Sequence, residues 1–205
     1  MGKIKYFLLL AAVSFFFAGS INLFAQQTKK MDNKNSKQEN SVPDWNKKVR
    51  VSPKAEVKQT IGLTYVTISY SRPGVKNRKI WGELVPYNKV WRAGANEATK
   101  ITFSTDVTVN GKKLPAGSYG FFVIPTTKEW TVIFNKVADQ WGAFQYNEAE
   151  DAYRFKVMPK TTAFEEWLEY TFSDMEVDTK GNNSADINLI WGKLKLPFTV
   201  ETALK

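Results

Sequence analysis

The chain has no histidine and no cysteine. The first absence removes Ser-His-Asp and Cys-His nucleophile arrangements, imidazole acid–base catalysis and every His-ligated zinc, copper or iron site. The second removes cysteine catalysis, and it leaves the fold without a disulfide to staple it. What survives is carboxylate chemistry, a Ser-Lys pair, an oxygen-ligated Ca²⁺ site, or no catalysis at all. No cofactor is expected, and a non-enzymatic role is favoured over an enzymatic one. Long apolar runs are also scarce. The one at the start, within "MGKIKYFLLLAAVSFFFAGSINLFAQQ", extends from Tyr6 to Ala18, too short for a comfortable membrane span.

That run follows Lys3 and Lys5 and precedes small residues, with cleavage candidates after Ser20 and Ala25. A basic start, a short apolar stretch and small residues are the marks of a secretory signal, so residues 1–25 are expected to be a signal peptide and the protein to be exported, periplasmic or secreted. An uncleaved N-terminal anchor is the alternative. A lipid anchor on cysteine is impossible, and no stable span is expected once the signal is removed. The net charge is +9, or +7 without Lys3 and Lys5. Much of the excess lies in "QQTKKMDNKNSKQENSVPDWNKKVR" (26–50), which is too polar to bury itself and is expected to be a disordered linker. No basic stripe or aromatic-bearing sheet of a nucleic-acid module is visible, so no nucleic-acid partner is expected. A small molecule, a glycan or an envelope protein fits the expected compartment.

From residue 51 to 205 the chain is long enough for one core. Its apolar residues recur with a period of two. In "LTYVTISYS" (63–71), Val66, Ile68 and Tyr70 alternate with Tyr65, Thr67 and Ser69. "TKITFS" (99–104) and "DVTVN" (106–110) follow, and Asn110-Gly111 is a strong hairpin signal because both residues tolerate positive φ. A second turn at Pro115-Ala116-Gly117 leads into the apolar run Tyr119–Ile124. Further strands are expected in "EWTVIFNK" (129–136), "AYRFKVM" (152–158), "EYTF" (169–172), "DINLIWG" (186–192) and "KLKLPFTVE" (193–201). In "AFEEWLEY" (163–170), Phe164, Trp167 and Leu168 are spaced for one helical turn. Eight or nine short strands with at most short helical turns predict an all-β fold: an antiparallel β-sandwich, jelly-roll or Greek-key-like, occupying 51–205 as a single domain.

The blocks "YSRPGVKNRKIWGELVPYNKVWRAGANEATKITFS", "GKKLPAGSYGFFVIP", "WTVIFNK" and "IWGKLKLPFTV" closely resemble the exported bacterial family known as domain of unknown function 2911. The resemblance runs from about Ser52 to Thr202. It implies export and a largely β architecture, and it carries over no catalytic residue.

Between the strands ending near Ser71 and starting near Thr99 lies a loop-like stretch dense in functional groups. Arg72, Arg78 and Arg92 supply planar guanidiniums suited to carboxylate or phosphate. Trp81, Tyr87 and Trp91 supply flat faces for stacking. Asn96 can donate and accept, and Glu83 and Glu97 are the nearby acids. These letters describe a ligand-binding cleft for an acidic or hydroxyl-rich ligand, such as a glycan or a peptide carboxylate. They describe equally a structural clasp, in which arginines and asparagines satisfy the backbone of an irregular crossover while the tryptophans cover the core. Arg92, beside Trp91 and ahead of Gly94-Ala95-Asn96, is the foremost ligand contact; Arg78 has the look of a solvent-facing residue. A carboxylate-dependent hydrolase of envelope polysaccharide and a purely structural protein–protein interaction domain are the alternatives. The acids Glu165, Glu166, Glu169, Asp174, Glu176 and Asp178 read as a solvated strand edge more readily than as a glycosidase pair. "DTKGNNSAD" (178–186) lacks EF-hand spacing and reads as a flexible hairpin. No metal ligand set is expected.

Overall fold

The computed structural model describes residues 49–179 and 182–203. The expected signal peptide and residues 26–48 of the expected linker lie outside the described residues. The strands are β1 (Lys54–Ile61), β2 (Thr64–Ser71), β3 (Thr99–Phe103), β4 (Val107–Val109), β5 (Lys112–Leu114), β6 (Gly117–Ile124), β7 (Trp130–Asn135), β8 (Asp151–Val157), β9 (Lys160–Val177) and β10 (Asn182–Ala203). One sheet has the order β1-β2-β3-β6-β7-β8 and the other β5-β4-β10-β9, with antiparallel neighbours throughout. The sheets are open and pack as a sandwich, as the period-two alternation predicts. The helical content among the described residues is a single 3₁₀ turn at Glu148–Glu150, and no helix there is long and apolar enough to cross a membrane.

The core forms where the alternating apolar faces of the two sheets meet. Val66, Ile68 and Tyr70 of β2, Phe121 and Val123 of β6, and Trp130, Val132 and Phe134 of β7 face Ile187, Leu189, Trp191, Phe198 and Val200 of β10. The six-stranded sheet is covered on its other face too. Phe122 and Ile133 are fully buried there with Ala98, beneath Val90, Ala143 and Tyr146. The expected hairpin at Asn110-Gly111 connects β4 to β5, and both residues have positive φ, 45° and 79°.

Three elements differ from the sequence expectation. β1 is an added edge strand, its half-buried Ala55, Val57 and Gln59 alternating with exposed Lys54, Glu56 and Lys58. The segment 163–170 is strand and not a helical turn, because β9 pairs with β10 through Glu165↔Gly192 and Glu169↔Ile190. The two strands expected at 186–192 and 193–201 are one strand, β10. Its buried apolar positions are odd-numbered up to Trp191 and even-numbered from Leu196 onward, a change of side made by the bulge at Gly192, whose φ is 62°.

The crossover 72–98 is ordered by docking on both sheets. Its first part lies against the irregular stretch of β9: Val75 N donates to Glu166 O and Leu168 N to Pro73 O, with a bridge between Gly74 and Trp167. Its later part takes the edge of β6 beyond the reach of β3, where Trp91 and Val123 exchange both backbone hydrogen bonds at 2.8 and 2.9 Å. A crossover tied in this way satisfies its own backbone, which is the demand any buried irregular segment must meet.

Candidate functional site

The three arginines of the crossover have different fates. Arg72 bridges to β9: its Nε donates to Leu168 O at 2.8 Å, and its Nη2 lies 3.3 Å from Trp167 O and 3.4 Å from Glu169 Oε2. Arg78 turns back on its own loop, donating to Val75 O and Gly74 O at 3.1 and 2.6 Å. Arg92 makes no side-chain hydrogen bond and no ion pair with any described residue, and its Nε is buried. Burial alone holds the Arg92 guanidinium below its ordinary value.

The backbone around Arg92 is held from both sides. Trp91 is pinned to Val123, and Ala93 sits at a left-handed φ of 51°, unfavourable for a residue with a Cβ. The Ala93 carbonyl accepts from the buried Tyr170 hydroxyl at 2.8 Å and from Thr99 Oγ1 at 3.0 Å, contacts that stabilise the strained geometry. Arg92 is therefore positioned by its neighbours and not by its own head group.

Beside it is a recess of about 260 Å³ lined by Arg92, Arg78, Lys76, Ser52, Trp91 and Trp191 among others, with no carboxylate among the described residues of its wall. Trp191 is 1% exposed and its indole N–H has no acceptor among the described residues. The Trp91 N–H donates to Gly94 O at 3.2 Å. The wall thus presents cations, with the Trp91 N–H already spent on Gly94 O and the Trp191 N–H buried behind it.

The remaining predicted residues are distributed around this recess. Trp81 and Trp91 lie in a four-indole cluster with Trp130 and Trp191, with ring centroids 4.4–5.9 Å apart, so much of their flat surface is spent on one another. Tyr87 rests its ring on Gly82, where a Cβ would stand 2.7 Å from it. Asn96 Nδ2 donates to Ser52 O, tying the crossover to the segment before β1. Glu97 pairs with Arg50 at 2.7 Å, and Glu83 with Lys79 at 2.9 Å, each on the surface. Burial would raise the Glu97 carboxyl, but its own backbone N–H and Arg50 outweigh that and lower it. Of the predicted set, Arg78, Trp91 and Arg92 line the recess; Arg72, Trp81, Tyr87, Asn96 and Glu97 do not.

Residues 52–200 match the family described as Protein of unknown function (DUF2911). The chain belongs to the DUF2911 family. No curated protein and no solved structure matches it.

In this DUF2911 chain the acids of β9 are used locally. Glu166 Oε1 accepts from Lys76 N at 2.9 Å, and Glu165 and Glu169 flank the crossover contact. Among the described residues no group of three or more His, Cys, Asp or Glu could hold a metal ion. Lys76 and Trp191 join the recess without having stood out in the sequence. Lys76 is one more basic residue in a basic loop, and Trp191 comes from β10, far along the chain.

Proposed function

We propose that this DUF2911 chain is an exported, non-catalytic binding module that holds a small acidic ligand, the carboxylate of a glycan or peptide, against Arg92. The observation that carries this is the buried Arg92 Nε with no acceptor among the described residues, in a recess lined by Lys76 and Arg78 and by no described acid. A buried donor on a charged group is costly unless something accepts from it, and a carboxylate meets a guanidinium with two parallel hydrogen bonds. A recess of about 260 Å³ suits one acidic unit better than a long segment. The unpartnered Trp191 N–H in the same wall adds a neutral donor. Export rests on the basic, apolar and small-residue pattern of residues 1–25.

Titration calorimetry of the purified full chain with tetragalacturonate and with an acetylated glutamyl peptide tests the reading. At least one should bind saturably, more weakly at high salt. Arg92→Met should abolish binding, and Arg92→Lys should weaken it by keeping charge without the planar fork. Binding of neither probe, or binding indifferent to Arg92→Met, would refute it.

A further inference from the structure

On the other side of the crossover lies a second recess of about 340 Å³, where β1 and β2 meet the loop after β7. Its lining includes Lys54, Ser71, Glu97, Lys100, Asp139 and Gln140. Gln140 is 8% exposed, and its Nε2 donates to Val137 O at 2.9 Å. That bond decides which end of the amide is oxygen, since a reversed amide would set two acceptors against each other. The Oε1 so placed is buried and accepts from nothing in the described protein. The Arg92 recess is rich in donors; this one holds an unused acceptor.

Three of its four charges are already compensated, Lys54 having no ion-pair partner among the described residues. Lys100 Nζ is 2.7 Å from Asp139 Oδ1, and Glu97 is paired with Arg50. An anion would meet Glu97 and Asp139, and a cation would meet Lys54 and Lys100, so neither charge sign is favoured. A ligand whose groups both donate and accept is favoured, and hydroxyl groups do both. Just outside the lining, the next residue along supplies an exposed aromatic face. Trp141 follows Gln140, is 58% exposed, and its backbone is bridged to that of Glu97, which lines the recess. Phe144, 85% exposed, stands on the same turn with its ring against Gly142. An exposed indole next along the chain from a hollow that offers both charge signs and apolar surface is a pairing that takes a sugar ring, apolar face on the aromatic and hydroxyls inward.

We propose that the recess around Gln140 is a saccharide subsite for a neutral pyranose unit, with Trp141 as its stacking platform and Gln140 Oε1 accepting from a ring hydroxyl. This site is separate from the Arg92 recess and holds whether or not Arg92 takes an anion. The test uses the purified full chain with cellohexaose, mannohexaose and chitohexaose, measured by calorimetry and by saturation-transfer NMR. At least one should bind saturably. Trp141→Ala, a surface change, should weaken it about tenfold, and Gln140→Met should do the same, with a modest fall in melting temperature from the lost bond to Val137 O. Arg92→Met should leave it intact. Three outcomes would overturn the proposal: no saturable binding of any of the three, binding insensitive to Trp141→Ala, or binding lost on Arg92→Met. If Gln140→Met fails to fold, Trp141→Ala alone decides.

Discussion

Arg72 and Arg92 lie in one crossover, carry the same head group, and should respond in opposite ways to the same substitution. Arg72→Met removes a good charged hydrogen bond to Leu168 O at 2.8 Å and two long ones, to Trp167 O and Glu169. A hydrogen bond from a charged donor contributes roughly 1.5–3 kcal/mol, and the long contacts add little. The substitution also leaves the Leu168 carbonyl without that donor. A loss of about 2–3 kcal/mol is expected, which for a domain of this size lowers the melting temperature by about 5–10 °C. Arg92→Met removes no hydrogen bond within the described protein and relieves a desolvated cation, so its unfolding free energy should stay within about 0.5 kcal/mol of the parent or rise. Urea unfolding followed by tryptophan fluorescence, together with calorimetric melting, measures both. A loss for Arg92→Met as large as that for Arg72→Met would make Arg92 a clasp and remove the basis for a ligand there. An unchanged Arg72→Met would mean that the bonds to β9 contribute nothing.

Two further outcomes follow from the same contacts. The Glu169 carboxyl is raised by burial and by Glu165, against the lowering effect of Arg72. A raised acid stabilises the fold below its unfolded value and loses that contribution as pH rises through its folded value, so Glu169→Gln should equal or exceed the parent in stability at pH 7 and lose the advantage as pH falls below the ordinary 4.5; a urea midpoint lowered at pH 7 would contradict this. At Gly94 an added Cβ would meet Thr99 Oγ1 at 2.9 Å and the Ser71 carbonyl at 3.2 Å, so Gly94→Ala should cost about 1–3 kcal/mol in urea unfolding, and a neutral result would mean that the crossover shifts freely.

The alternation of side chains made most of the sandwich legible, and its failures have physical causes. Lys54, Glu56 and Lys58 face solvent on an edge strand, while Ala55 and Gln59 are weak markers of the inner face, so β1 carries little apolar signal. Phe164, Trp167 and Leu168 have helical spacing, yet the partner strand overrides it, leaving Phe164 exposed and Leu168 buried. The bulge at Gly192 reverses the alternation and makes one strand look like two. Within the candidate site, residue type singled out Arg92 but could not separate it from Arg72. The difference lies in the reach of β9 carbonyls nearly a hundred residues later. The open acceptor of Gln140 depends on a local bond to Val137 O, and no sequence pattern announces that.

The stretch from Val51 to Lys54, the first residue of β1, touches both recesses. Val51 and Ser52 contribute to the wall near Arg92, and Lys54 to the wall near Gln140, with Arg50 and Ser52 fastened to Glu97 and Asn96 between them. The path of the chain from residue 49 into β1 therefore runs along both hollows, so that a shift of this one short stretch would reshape the two walls together.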